Sequence, residues 1–92
     1  MTVKATKLDS EGNPTGNTAN FAKVEQAQKW CEIERGAKLE WQEEDRFFSL
    51  EGMTKEENEK LGEEGEYPPV RFWICGVEDD GEERELEEDD FE

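Results

Sequence analysis

The sequence predicts an α+β fold: an antiparallel β-sheet of about four strands, one main helix packed on one face, and an acidic C-terminal tail. Three observations lead there. Phe21, Val24, Ala27 and Cys31 recur at helical spacing. Residues 70–77, VRFWICGV, form a β-branched and aromatic run suited to an interior strand, buried on both faces or nearly so. Residues 78–92, EDDGEERELEEDDFE, carry eleven acids against the single base Arg84, a local charge of −10. The division expected is a domain over residues 1–77 and a tail over residues 78–92.

Taken in order, residues 2–9 alternate as a short strand does, with Val3, Ala5 and Lys7 on one face and Lys4, Thr6 and Leu8 on the other. Ser10-Glu11-Gly12-Asn13-Pro14 is a turn, because glycine supplies unusual backbone angles and proline fixes its own. Residues 15–20, TGNTAN, fit a weak strand or a loop. The helix is expected from about Asn20 to Arg35, with Thr18 or Asn20 placed to cap its start and Gly36 to end it in a left-handed conformation. Its apolar stripe reads as core, with Trp30 at the edge.

Residues 38–42 and 46–50 read as a β-hairpin joined by a turn at Glu43-Glu44-Asp45. Leu39 and Trp41 share a face of the first strand. Phe48 and Leu50 share a face of the second, with Phe47 opposite and Gly52 ending it. Residues 54–61, TKEENEKL, read as a short surface helix. Thr54 is the N-cap, Glu57 completes a capping box, and Glu56 and Lys60 form an i,i+4 pair. Residues 62–69 form an acidic loop, and Pro68-Pro69 keep any helix from running into the last strand.

Ninety-two residues make one domain. The chain is 41% charged and 32% hydrophobic, near the boundary with disorder, but three tryptophans, five phenylalanines and a tyrosine supply material for a core. Two cysteines, Cys31 and Cys75, are too few for a disulfide scaffold or a four-ligand zinc site, and each lies in an apolar segment. They read as buried free thiols in a reducing cytoplasm. No stretch approaches a transmembrane span, and Met1 is not followed by a basic and then apolar signal region. The expected location is therefore cytoplasmic, with no membrane partner.

The parts for chemistry are missing. There is no histidine, so the usual general base and the commonest zinc ligand are absent. A cysteine nucleophile has no usual base partner, and there is no glycine-rich phosphate loop. Asp79-Asp80-Gly81-Glu82 lacks the alternating ligand order and the distal glutamate of a calcium loop. The expectation is a protein that is not an enzyme and needs no cofactor or metal.

Charge carries the functional reading. Residues 1–42 hold six acids and six bases and are neutral; residues 43–77 hold ten acids and four bases, −6; the remainder holds −10 of the total −16. Such a charge repels nucleic acid and anionic membranes and favours basic proteins or surfaces built to grip phosphates. Halophilic acidity fits less well, since Glu greatly outnumbers Asp and seven lysines exceed four arginines. The plainest reading is a solvated face with a disordered tail. A second is mimicry, in which carboxylates occupy a groove that normally holds phosphates. Glu78, Asp80 and Glu82 at strand spacing, about 6.5–7 Å per pair, and Glu83 and Glu87 at helical spacing, about 5–6 Å, are candidate rows. A third is an acidic segment with apolar anchors, Leu86 and Phe91, that dock into a partner. The candidate partner-binding residues are Glu78, Asp79, Asp80, Glu82, Glu83, Glu87 and Glu88, with Leu86 and Phe91.

In size and acidity the chain resembles the small DNA-mimic inhibitors that phages and mobile elements make against restriction, CRISPR or DNA-handling enzymes. The resemblance is compositional and covers residues 43–92. It implies a stoichiometric inhibitor of a basic or nucleic-acid-binding protein, acting by steric occupation and binding no nucleic acid itself. The competing class is a regulatory or adaptor module whose acidic tail binds a basic protein without imitating nucleic acid.

Overall fold

The computed structural model describes residues 2–44 and 49–91. The fold is α+β, an antiparallel sheet with one main helix packed on one face. Strands β1 (Thr2–Leu8), β2 (Pro14–Phe21), β3 (Glu40–Glu44), β4 (Ser49–Met53) and β5 (Arg71–Val77) lie in the order β2-β1-β5-β4-β3. A two-residue strand, β6 (Glu83–Arg84), pairs with the end of β5. The helices are α1 (Val24–Arg35), α2 (Lys55–Glu64) and a short 3-10 turn, η1 (Glu88–Phe91).

Strand β5 is interior, as its composition predicts. Its whole length pairs with β1, from Thr2 opposite Val77 to Leu8 opposite Arg71. Its other edge takes β4 at Phe72–Ile74 and β6 at Gly76–Val77. Phe72 and Ile74 face α1, and Cys75 and Val77 are buried on the opposite face. The core on the helix side joins Val3, Ala5, Leu50, Phe72 and Ile74 of the sheet to Val24, Ala27 and Cys31 of α1. Three residues of the expected stripe, Val24, Ala27 and Cys31, form it; Phe21, expected as its first, instead ends β2. Phe21 and Trp30 pack against the core, with ring centroids 6.1 Å apart, and Trp30 meets Phe72 edge-on at 6.3 Å.

Several boundaries differ from expectation. The polar stretch 14–21 is a full strand, with Thr6 opposite Thr18 and Val3 opposite Phe21; pairing with β1 overrides its weak intrinsic preference. Thr18 and Asn20 therefore lie in β2 and cap nothing. Helix α1 starts later, where the Gln26 Oε1 atom accepts the N–H groups of Ala22 (3.1 Å) and Lys23 (3.2 Å). It ends at Gly36 in the left-handed conformation, φ 72°.

The hairpin is shifted. Its return strand is Ser49–Met53, with Glu44 opposite Ser49 and Glu40 opposite Met53. The faces expected for Phe47 and Phe48 lie outside the described residues. Gly52 does not end the strand but sits inside it, opposite Trp41. A Cβ there would stand 2.5–2.8 Å from three atoms of the Trp41 indole, so the glycine is the seat of the ring.

Helix α2 begins as predicted. The Thr54 hydroxyl accepts the Glu57 N–H at 3.2 Å, and Glu57 accepts the Thr54 N–H at 3.0 Å. It runs on to Glu64 and is closed by Gly65, φ 67°. None of its residues is buried; an ion pair of 2.9 Å from Arg35 to Glu57 ties it to α1. No described helix is long and apolar enough to cross a membrane.

The stretch expected as an acidic tail is folded onto the sheet through its described length. It makes a tight turn after β5, returns as β6, and ends in η1 beside α1. Leu86, 3% exposed, belongs to the core.

Candidate acidic binding surface

The surface starts where β5 leaves the sheet. The Glu78 N–H donates to the Glu82 carbonyl at 2.8 Å, and the Gly81 N–H to the Glu78 carbonyl at 2.9 Å. Gly81 takes φ 91°, a left-handed angle that a side chain would strain. The Asp80 carboxylate accepts the Glu82 N–H at 3.0 Å. Glu78, Asp79, Asp80 and Glu82 are exposed on this turn. Because the chain reverses here, Glu78, Asp80 and Glu82 are not a row at strand spacing. Glu83 and Glu87 are not a helical pair either: Glu83 lies in β6 and Glu87 precedes η1.

Beyond the turn, successive side chains of β6 go to opposite faces of the sheet. Glu83 lies on the face away from α1, where the Cys75 thiol donates to its Oε2 at 3.3 Å and the Lys4 Nζ stands 3.9 Å from its Oε1. Burial, and then the Glu83 carboxylate, push the Cys75 thiol up to about 12. Burial and the neighbouring Glu32 push Cys31 up to about 12 as well. Both sulfurs are free and buried, so neither is a thiolate nucleophile near neutral pH.

Arg84 goes to the other face and turns inward. Its guanidinium donates to Asp90 Oδ2 at 2.8 Å and Oδ1 at 2.9 Å, to the Glu85 carbonyl at 2.8 Å and to the Thr2 carbonyl at 3.2 Å. The two paired side chains are 8% and 7% exposed. Asp90 also accepts the Glu87 N–H at 2.7 Å. The hydrogen bonds from Arg84 hold the Asp90 carboxyl below its ordinary range against the opposing effect of burial, and the same contact raises Arg84. From α1's N-cap, Lys23 donates to the Asp89 carbonyl at 2.7 Å.

The consequence is a sorted surface. The stretch's base and one of its acids, Asp90, neutralise each other inside. Glu78, Asp79, Asp80, Glu82, Glu83, Glu85, Glu87, Glu88 and Asp89 are all exposed. Seven of these nine are the expected acids; Glu85 and Asp89 join them. Of the two expected anchors only Phe91 is accessible, at 45% exposed, because Leu86 fills the core. Sequence reasoning gave no role to Gly76, Arg84 or Asp90. The signals were a lone base within an acidic run, and a glycine inside the most apolar strand.

Among the described residues no group of three or more Cys, Asp or Glu side chains is arranged to hold a metal ion. Comparison of the chain with known protein families, with curated proteins and with solved structures finds no match.

Proposed function

We propose that this protein is a non-enzymatic acidic inhibitor that occupies the nucleic-acid-binding groove of a partner, in the manner of phage or mobile-element anti-restriction and anti-CRISPR DNA mimics. The observation that carries the reading is the sorting of charge in residues 78–91: nine exposed carboxylates, with the single base turned inward onto Asp90. A chain that needs charge only to stay in solution has no reason to bury the one base of an acidic stretch. A nucleic-acid groove is lined with Lys and Arg and gains by exchanging counterions for fixed anions. The site of action in this reading is the cytoplasm.

Phe91 favours a second reading. A half-exposed aromatic beside Glu88 and Asp89 is what an adaptor module uses as an anchor on a basic partner without imitating nucleic acid.

One experiment decides between them. The protein is immobilised, basic partners are captured from lysate at low salt and eluted with salt, and each is titrated with its own DNA or RNA in the presence of this protein. Competition, with slower association after charge reversal at Glu82 and Glu87, supports mimicry. Simultaneous binding with unchanged affinities refutes mimicry and leaves the adaptor reading.

A further inference from the structure

Residues 83–91 are folded onto the domain with little regular structure to hold them. Strand β6 has two residues and η1 has four. Besides Leu86 in the core, what fixes the segment is the side chain of Arg84. Arg84 lies opposite Gly76 in the β5–β6 pairing. Its stem and guanidinium occupy the space above that glycine: a Cβ at Gly76 would stand 2.7 Å from Arg84 Cζ and 2.8 Å from Arg84 Cγ. From this seat the guanidinium grips both Asp90 oxygens and the Thr2 carbonyl, linking the end of the segment to the start of β1. Asp90 then holds the Glu87 N–H, which closes the chain on both sides of Leu86. The pair is almost fully desolvated, the setting in which loss of one partner is most disruptive.

We propose that Gly76, Arg84 and Asp90 form a latch that holds residues 83–91 against the sheet, and that its closure sets the positions at which the exposed acids meet a basic partner. The second clause rests on the function proposed above. Charge alone gives attraction. A fixed arrangement of charges avoids the ordering cost that a flexible tail meets on binding.

Two substitutions test the latch in the full chain without altering net charge. Gly76→Ala removes the seat, and Arg84→Lys removes the two-pronged grip on Asp90. Amide hydrogen exchange reads the segment directly. In both variants the protection of the Glu87 and Asp90 amides should fall about tenfold or more and drop well below that of the inner-strand amides of Ala5 and Ile74, which open only with the whole domain. Unchanged exchange at Glu87 and Asp90 in both variants overturns the latch, as does protection at Glu87 and Asp90 that still equals that at Ala5 and Ile74, which would mean the segment opens only with the whole domain.

Presentation is read with a helical peptide carrying Lys and Arg at i,i+4 spacing. An affinity loss of about tenfold in both variants at constant charge supports it. Faster exchange with parental affinity overturns it. Failure of the parent protein to bind the peptide counts against the proposed function and not against the latch, which the exchange data decide by themselves.

Discussion

Replacing Leu86 with alanine separates a segment that is part of the fold from one that merely trails behind it. Leu86 is 3% exposed and packs with the core of β1, β5 and α1. Truncating a buried leucine costs about 2–5 kcal/mol, set by how far the surroundings collapse into the space. Here the flanking elements are short, so relaxation is easier than between two long elements, and the lower half of the range applies: about 2–3 kcal/mol. For a domain of this size that lowers Tm by roughly 10–20 °C. The internal control is Phe91→Ala. Phe91 is larger but 45% exposed, so about half of its apolar area never leaves water, and the loss stays below about 1.5 kcal/mol. Urea unfolding followed by tryptophan fluorescence and by circular dichroism gives both values and checks that the transition is two-state. If Leu86→Ala falls within about 0.5 kcal/mol of the parent, or if Phe91→Ala is the costlier change, the packing of the C-terminal segment described above is wrong.

Two further expectations concern ionisation. Asp90 has a folded pKa below its ordinary value of 3.8, so its contribution to stability is complete above that value and is lost as pH falls through the depressed one. Asp90→Asn should therefore cost about 3 kcal/mol near neutral pH, and the gap from the parent should narrow below about pH 4; a gap independent of pH down to complete acid unfolding contradicts the ion pair. Cys31 and Cys75 are buried, with thiols pushed up to about 12, so a thiol reagent at pH 8 should label neither until denaturant is added; labelling of either in the native protein, or a native mass two units low that reductant restores, is the contrary result.

How much was legible in the sequence depended on whether the information was local. The α1 stripe is local, because a period of 3.6 places Val24, Ala27 and Cys31 on one side of a helix whatever they pack against. The Thr54–Glu57 capping box is also local, closed within one turn. Strand β5 is legible by composition, since the apolar and aromatic run from Phe72 to Val77 has little to offer water. The segregation of charge into residues 43–92 is simple arithmetic on the chain.

Other features were set by partners distant in sequence. Residues 14–21 have little strand preference of their own, and only the ladder to β1 makes them β2. Gly52 reads from the sequence as a strand terminator, and Gly76 is assigned no role there; each is a seat for a side chain arriving from another strand, Trp41 and Arg84. Tertiary structure alone decided that the acidic stretch is part of the domain. Its composition favours water everywhere except at Leu86 and Phe91, and two apolar residues among eleven acids do not reveal a buried segment. What holds it there is Leu86 in the core together with a desolvated ion pair seated on a bare Cα, an arrangement that exists only once β1, β5 and α1 have been brought together.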